Sequence, residues 1–315
     1  MQVAGLITAG RRECWGSQIG EAGGHHVSWC PFVFVPAFAL TSFGEAAPTL
    51  RASAAGYGKL VPVTRVDLNA DVGESFGAHS IGDDEALLAS ITSASIAAGF
   101  HGGDPTVLRR TIQLARKHDV RIGAHPGLPD LSGFGRREMR LTPAEAEDLV
   151  LYQIAAVAGV ARAEGVSLQH VKPHGALYNM AVLDGDLAAA VVRAVKAFDP
   201  SLALFAPPNS KLLEAGQAGG LRVAAEGFAD RAYERDGTLT SRAAAGSVLT
   251  DPAAIVARAV RMIAEGVVVA VDGTPVRIAV DTLCVHSDTP GAGALGGRLR
   301  DGLKAAGILV QPLRE

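Results

Sequence analysis

From Val66 onward, short apolar runs alternate with amphipathic stretches, and this alternation restricts the fold more than any other feature of the chain. Each apolar run has the length of a buried strand, and each stretch between two runs has the periodicity of a helix. Strands that alternate with helices favour parallel βαβ units. The predicted strands are Val66–Ala70, Ser95–Gly99, Arg121–Ala124, Leu168–Lys172, Leu202–Ala206, Arg222–Glu226 and Asp281–Val285.

Helix signals mark the stretches between the predicted strands. Asp104 stands before Pro105 as a predicted N-cap, and Thr142 is predicted to form a capping box with Glu145. A hairpin-like insertion is predicted around Thr238–Val248. The predicted helices are Pro105–Lys117, Thr142 to about Glu164, Leu183–Phe198, Pro252–Glu265 and Leu295–Ala306.

Polar residues follow nearly every predicted strand, as Asp71 follows the first, His101 the second and His125 the third. A closed barrel gathers the carboxyl ends of all its strands on one face, where active sites are built. An open sheet would instead spread these residues along a crevice. Because nearly every strand contributes, the sequence predicts an α/β fold in which seven strands close into a (β/α) barrel.

The first 65 residues show no such pattern. They hold both tryptophans and two of the three cysteines, and they carry more basic than acidic residues, whereas the rest of the chain is acidic. We expect residues 1–65 to be a disordered extension or the product of a start site assigned too far upstream. Val61 and Val63 are candidate alternative starts, and we favour this second interpretation. Residues 66–315 are then the barrel and the catalytic domain.

Composition excludes several classes of protein. The net charge of −3 argues against nucleic-acid binding, which usually needs a basic patch. Three cysteines without a CxxC pair exclude a disulfide framework and a cysteine-rich zinc module. The apolar run Cys30–Leu40 begins too far from the N-terminus for a signal peptide, and it is too short for a membrane helix. We therefore expect a cytoplasmic protein.

Three early motifs carry candidate catalytic residues. In VDLNADVGESFG, Asp67, Asn69 and Asp71 share one face of a strand, and Glu74 follows them. Polar side chains inside a barrel are costly unless they are hydrogen-bonded, so this set favours a functional cluster over a capped turn. His101 lies in AGFHGGDP, and His125 ends the next strand in GAHPG.

The run VKPHGALYN is the most specific local signal. Lys172 and His174 are predicted to direct two donors into the barrel mouth, with Tyr178 and Asn179 lining it. His170, within the strand, is predicted to be a core histidine. A buried lysine needs a counter-charge. The candidate counter-charges are Asp71, Glu74 and Glu226.

Later motifs complete the candidate binding set. Arg242 lies in the predicted insertion, which would form a flap over the mouth, and Cys284 is predicted to be an inert buried thiol. The GxGxxG at Gly291–Gly296 is weak as a dinucleotide fingerprint because no strand follows it, but a glycine-rich helix start can bind phosphate. The further candidates for binding substrate or phosphate are Arg137, Asp230, Arg231, His286, Asp288, Gly291 and Gly293.

A metal site is the alternative use of the histidines. His101, His125, His174 and His286, with Asp71 and Asp288, have the chemistry of zinc or manganese ligands. They come from separate loops, however, and form no HxxxH or HxH pair. The sequence therefore favours a metal-free site, and no tightly bound transition metal is expected.

Six ordered motifs resemble those of the LamB/YcsF family. The resemblance covers about Val66 to Gln311 and implies a distorted barrel of the glycoside hydrolase/deacetylase type. It also implies ATP-dependent hydrolysis of the lactam of 5-oxo-L-proline (pyroglutamate) to L-glutamate, in a complex with partner subunits B and C. The motifs are VDLNADVGESFG, AGFHGGDP, GAHPGLPDLSGFGRR, VKPHGALYN, EGFADRAY and CVHSDTPGA.

The implied reaction gives the candidate residues roles. Lys172, Arg231 and the helix start at Gly291–Gly296 would stabilise charge on a transferred phosphoryl group. One of His101, His125 and His174 would be the general base. The carboxylates of Asp71, Glu74 and Glu226 would orient these groups or hold Mg²⁺ with ATP.

Two alternatives stay open at this point. The same face could catalyse a metal-dependent amide or N-acetyl hydrolysis, or the chain could be a non-enzymatic subunit that binds pyroglutamate for its partners. The sequence leaves undecided which subunit binds ATP.

Overall fold

A closed barrel of parallel strands forms the centre of the computed structural model, which describes residues 64–314 except 243, 289 and 290. Strands β1 to β6 pair in chain order, and β9 pairs with both β6 and β1 to close the ring. The strands are β1 (Arg65–Val72), β2 (Ser93–Ala97), β3 (Arg121–His125), β4 (Leu168–Val171), β5 (Ala203–Ala206), β6 (Val223–Phe228), β7 (Val267–Val269), β8 (Pro275–Arg277), β9 (Thr282–His286) and β10 (Leu309–Val310). The predicted seven-stranded barrel is confirmed, and β10 adds an outer parallel pairing to β1.

Helices surround the barrel, and the sequence signals at their starts are confirmed. Asp104 caps the second helix, and the box of Thr142 and Glu145 caps the third. The helices are α1 (Asp84–Leu88), α2 (Pro105–Lys117), α3 (Pro143–Ala163), α4 (Gly175–Leu183), α5 (Gly185–Phe198), α6 (Lys211–Ala218), α7 (Pro252–Glu265) and α8 (Ala292–Ala305). A short 3-10 turn covers Leu131–Gly133.

Two predicted helix starts differ from the observed ones. The helix predicted from Leu183 begins at Gly185 because the Asp184 side chain accepts hydrogen bonds from the amides of residues 186 and 187. The last helix begins at Ala292 rather than Leu295. The short helices α1, α4 and α6 were not predicted, since five to nine residues are too few for a clear period.

The predicted hairpin-like insertion is held by antiparallel bridges but contains no regular strand among its described residues, and a second, regular hairpin was not predicted. The segment Thr238–Val248 is irregular and is joined to the chain before it by the isolated bridges Arg231–Val248 and Tyr233–Leu239. The regular antiparallel hairpin is β7 with β8, where Val267 pairs with Arg277. The prediction for residues 1–65 concerns positions that lie, except for the last two, outside the described residues.

Strand β1 shows how the core and the site share the barrel. Leu68, Ala70 and Val72 belong to the apolar core, which lies between the strands and the helices. The alternate residues Asn69 and Asp71 are also buried, and they make polar contacts within the barrel. Every residue after the first in this strand is therefore buried, which is typical of a parallel strand covered on both faces.

Among the residues that the structure describes, no helix alone has the length and apolar composition to cross a membrane. In this part of the chain, only α4 and α5 taken together reach that length and apolar composition, and the chain bends by 119° between them.

Candidate active site

Six of the seven barrel strands direct polar side chains to the mouth at their carboxyl ends. β1 and the loop after it supply Asp71 and Glu74, and β6 supplies Glu226. Each of these side chains is buried, so the structure brings the predicted cluster together away from bulk water. The other contributors are His101 after β2, His125 at the end of β3, Lys172 and His174 after β4, and His286 at the end of β9.

Lys172 is the centre of the first half of this cluster. Its Nζ lies 2.8 Å from Asp71 Oδ1 and 2.7 Å from Glu226 Oε1, so two of the three predicted counter-charges contact it directly. It also donates to Asn69 Oδ1 at 3.2 Å. Burial alone would lower the pKa of Lys172, but the nearby carboxylates, Asp71 foremost, hold it well above its usual value. The ammonium is therefore a fixed positive charge inside the barrel.

Glu226 is held from both of its oxygens. Tyr178 donates its hydroxyl to Oε2 at 2.7 Å, and Asn69 donates its amide to Oε1 at 3.0 Å. Burial, together with the Glu226 charge, raises the pKa of Tyr178 well above its usual range, so the phenol stays a donor. These bonds fix the carboxylate beside Lys172, and any movement of it would leave a buried charge unpaired.

Asp67, the first member of the polar strand face in VDLNAD, forms a polar floor below Lys172. Its carboxylate accepts from Thr92 and Ser93 at 2.7 Å each and from Thr282 at 2.5 Å. It was predicted as part of the cluster, but without a catalytic or binding role of its own, and the contacts show a supporting position. Thr282 also accepts from Asn69 at 2.7 Å, so the floor supports the residues around the lysine.

The second half of the cluster contains three histidines around Glu74. Glu74 Oε1 lies 3.3 Å from His174 Nδ1, 3.4 Å from His101 Nε2 and 3.9 Å from His125 Nε2. The His101 and His174 rings stack with their centres 3.7 Å apart. Separate loops supply these four side chains, and only the closed barrel brings them together.

Two backbone carbonyls fix the proton positions on the histidines. The Lys172 carbonyl accepts from His125 Nδ1 at 2.7 Å, and the Phe134 carbonyl accepts from His174 Nε2 at 2.8 Å. In a neutral imidazole, a proton on one nitrogen leaves a lone pair on the other. The lone pairs of His125 Nε2 and His174 Nδ1 therefore face each other at 2.9 Å.

Burial sets the protonation of this cluster. Desolvation lowers the pKa of His101 and His174 well below the usual value for histidine. Desolvation and the neighbouring Asp71 carboxylate raise the pKa of Glu74 to about 7. Near neutral pH the site thus offers neutral imidazoles as bases and a carboxyl group that can give or take a proton.

Comparison with known proteins identifies the relatives of this barrel. The profile of the LamB/YcsF family matches residues 66–315. The chain belongs to the LamB/YcsF family. A relative from Chloroflexus aggregans, named as the A-subunit of 5-oxoprolinase, is 54% identical over 249 residues, which cover 79% of this chain and 99% of the relative.

A second relative and a solved structure agree with this assignment. The 5-oxoprolinase A-subunit of Bacillus subtilis is 50% identical over 251 residues, which cover 80% of this chain and 98% of the relative. The crystal structure of the lactam utilization protein from Thermus thermophilus has a TM-score of 0.75 and 48% identity, and the match covers 79% of this chain and 100% of that one.

The rim of this LamB/YcsF barrel carries a second group of charges. His286 Nδ1 lies 3.0 Å from Asp230 Oδ1, which fixes the imidazole at the end of β9. Asp288 pairs with Arg136 at 2.6 Å and lies 3.8 Å from Arg242, so the loop that carries Arg242 reaches the rim. Both guanidinium groups are partly exposed, so the rim can meet an anionic ligand.

Other candidate residues lie outside the cluster. Arg137 forms an ion pair with Asp130 and is mostly exposed, so Arg136 is the arginine of this loop that reaches the rim. Arg231 donates to the carbonyls of Thr240 and Ser247, which ties the irregular loop to β6 rather than offering a free cation. Asn179 is exposed on α4.

The GxGxxG glycines serve helix packing. A Cβ on Gly293 would lie 2.6 Å from the Ala86 Cβ, and one on Gly296 would lie 2.9 Å from Leu87 Cδ1, so both let α8 lie against α1. Gly291 has a φ of +80° and precedes the first residue of α8, where it lets the chain turn into the helix.

Cys284 is buried as predicted, but it lies next to the candidate active site. Its Sγ lies 3.1 Å from Lys172 Nζ, within the charged cluster rather than in the apolar core alone. Burial raises the pKa of the thiol well above its usual value, so it remains protonated at neutral pH. The sequence placed Cys284 and Lys172 on separate strands, and only barrel closure makes them neighbours.

Proposed function

We propose that this chain is the A-subunit of an ATP-dependent 5-oxoprolinase, which opens 5-oxo-L-proline to L-glutamate in a cytoplasmic complex with subunits B and C. The observation that carries the proposal is a buried acid–base cluster at the mouth of a barrel that is about half identical to relatives named as 5-oxoprolinase A-subunits. These relatives match nearly over their full length, so the whole barrel supports the comparison.

The chemistry of the substrate explains why such a cluster is needed. A lactam is a stable amide, and transfer of the ATP γ-phosphoryl group to the lactam oxygen would make the ring carbon electrophilic. Water then adds to that carbon and the ring C–N bond breaks, which leaves an acyl phosphate on the opened side chain. A second water hydrolyses this acyl phosphate, and phosphate and the γ-carboxylate of glutamate are released. One group must take a proton from water, and another must give a proton to the leaving nitrogen.

The cluster contains groups suited to each of these tasks. His174 or His125, each held by a backbone carbonyl, would take the proton from water. Glu74, whose pKa is raised to about 7 by burial, would return a proton to the nitrogen. Lys172 would oppose negative charge on the oxygen of the tetrahedral intermediate.

The rim fits the phosphates of ATP. Arg136 and Arg242 flank Asp288 and are partly exposed, so these cations would face the phosphates while the carboxylate would contact the Mg²⁺ that ATP carries. ATP supplies the phosphoryl group, and the residues of this chain orient the ring and move protons.

Reconstitution tests the proposal. The chain would be purified alone and with subunits B and C, and glutamate formation from 5-oxo-L-proline would be measured with and without ATP. In the complex, His174→Gln should lower kcat by about 100-fold or more, the range expected for loss of a general base. Lys172→Met should lower it as well.

A surface variant provides the control. Lys117 lies on the outside of α2, where it pairs with Glu85, and Lys117→Met should leave turnover unchanged. Circular dichroism must show a folded barrel in each variant. Full turnover in folded His174→Gln and Lys172→Met proteins, or full turnover by B and C without this chain, would refute the assigned role.

A further inference from the structure

The triangle of Glu74 Oε1, His125 Nε2 and His174 Nδ1 has the arrangement of a transition-metal site. We propose that it binds one divalent ion of the zinc, cobalt or manganese class, with His101 beside the fourth position. The three sides of the triangle measure 3.3 Å, 3.9 Å and 2.9 Å. The test of this inference does not depend on the proposed reaction, because it measures binding alone, but a bound ion would take the lone pairs that the proposed reaction assigns to His125 and His174.

The first argument is the direction of the lone pairs. His125 donates its Nδ1 proton to a backbone carbonyl, and His174 donates its Nε2 proton to another. While the rings are neutral, His125 Nε2 and His174 Nδ1 therefore carry no proton. Two lone pairs at 2.9 Å repel each other unless a proton or a metal ion lies between them. Metal-binding histidines almost always donate the second nitrogen in this way, which orients the ring toward the metal.

The second argument is the spacing. Bonds of about 2.0–2.1 Å in a tetrahedral zinc site place neighbouring ligand atoms roughly 3.3 Å apart. Glu74 Oε1 is 3.3 Å from His174 Nδ1, and the other two sides of the triangle, 2.9 Å and 3.9 Å, lie on either side of this value. One ligand atom from each of Glu74, His101, His125 and His174 lies within 4.8 Å of the others.

The third argument is the set of polar atoms without a hydrogen-bond partner. Within the part of the chain that the structure describes, Glu74 Oε1 and both ring nitrogens of His101 are buried and accept or donate no hydrogen bond. Such atoms are costly when buried. A cation at the triangle would satisfy Glu74 Oε1 and attract the nearby His101 Nε2.

The stacked rings define the role of His101. A ring nitrogen binds a metal along the direction of its lone pair, in the plane of its own ring. The His101 and His174 rings are stacked, parallel within 3° and with their centres 3.7 Å apart, so one ion cannot lie in both ring planes. The site is thus a three-ligand site with His101 over the open position, the pattern of catalytic rather than structural zinc.

The charge balance favours a dication. Asp71, Glu74 and Glu226 bring three carboxylates to the mouth, and Lys172 contributes one positive charge. Lys172 contacts both Asp71 and Glu226, so it leaves Glu74 without a cation of its own, and a divalent ion at the triangle would supply one. The nitrogen-rich donors select a transition metal, since Ca²⁺ and Mg²⁺ prefer oxygen ligands.

A neighbouring group of donors is a weaker candidate. Asp71, Cys284 and His286 also lie within reach of a common ion. The Lys172 ammonium already occupies this space, 2.8 Å from Asp71 Oδ1 and 3.1 Å from Cys284 Sγ, and it would repel a second cation.

Metal binding by the full chain tests the proposal. Chelator-treated protein would be loaded with Zn²⁺ or Co²⁺, passed through gel filtration and analysed by elemental mass spectrometry. One ion per chain is expected, and Co²⁺ should give the intense visible bands of low coordination without a thiolate charge-transfer band. Glu74→Gln and His174→Asn should each lower the affinity by at least about 100-fold.

Matched variants separate the possible sites. Cys284→Ser and His118→Asn, which changes a histidine at the end of α2, should bind the ion as the wild type does. Metal-free Glu74→Gln should be at least as stable to heat as the metal-free wild type, because it removes a buried charge. Failure of the folded wild type to hold an ion, or binding lost in Cys284→Ser but kept in Glu74→Gln, would overturn the proposal.

Discussion

His170 makes the stability of the barrel depend on pH, and replacing it with glutamine isolates the effect. The side chain is fully buried, stacks on Phe205 with ring centres 4.1 Å apart, and shares a hydrogen bond with Ser95. Burial first, and then the Lys172 charge, lower its pKa to about 3. The predicted core histidine is therefore confirmed and neutral in the folded protein.

The magnitude follows from the two protonation states. The unfolded chain binds this proton below about pH 6.5, but the folded chain binds it only below about pH 3. Above about pH 6.5 the ring is neutral in both states, and this residue does not make the free energy of unfolding depend on pH. As the pH falls from there toward about 3, only the unfolded chain binds the proton, so the free energy of unfolding falls. Each pH unit between these two pKa values lowers the free energy of unfolding by about 1.4 kcal/mol, so the loss between about pH 7 and pH 4 is about 3 kcal/mol.

Urea unfolding followed by circular dichroism at several pH values measures this term. His170→Gln should be less stable near pH 7 because it loses the stacking on Phe205. Its free energy of unfolding should nevertheless fall by about 3 kcal/mol less than that of the wild type between about pH 7 and pH 4. His79→Gln removes an exposed histidine and should keep the wild-type slope. Equal slopes for His170→Gln and the wild type would refute the argument.

Two further changes test the packing around the site. Thr142→Ala removes the capping box of α3, so urea unfolding should show a loss of about 1 kcal/mol with glutamate formation by the complex unchanged; an unaltered midpoint would contradict the capping role. Gly127→Ala would place a Cβ 2.3 Å from His101 Nδ1, so it should displace that ring and reduce turnover in the same assay. Its control is Gly159→Ala in α3, where a Cβ meets no atom within 4 Å. This change should add up to about 1 kcal/mol to the free energy of unfolding and leave turnover unchanged. Equal turnover in the two alanine variants would argue against positioning of His101 by Gly127.

The strands were predictable because of how this barrel buries them. A parallel strand covered on both faces is read as a continuous apolar run, and runs such as Leu202–Ala206 stand out against the amphipathic helices. The helix starts at Asp104 and Thr142 were predictable because a cap is a local interaction between residues two or three positions apart.

The site was only partly predictable, because its contacts are not local. The counter-charges of Lys172 could be inferred from the general need of a buried ammonium, and Asp71 and Glu226 do contact it. The meeting of His125 with His174 depends on the register of β3 and β4 and on the turn after β4, which the residue types alone do not determine. The glycines of GxGxxG suggested phosphate binding from their spacing, whereas their contacts are with α1.

The closing role of β9 has a consequence for when the site can exist during synthesis. This strand pairs with β1 and β6, and its Thr282 bonds to Asn69, 213 residues earlier in the chain. A nascent chain that ends before Thr282 can form neither the polar floor nor a closed ring. Contacts between such distant residues are slow to form, so assembly of the mouth comes late in folding. A translation product truncated before β9 would have exposed strand edges at β1 and β6, which makes it a substrate for chaperones and proteases.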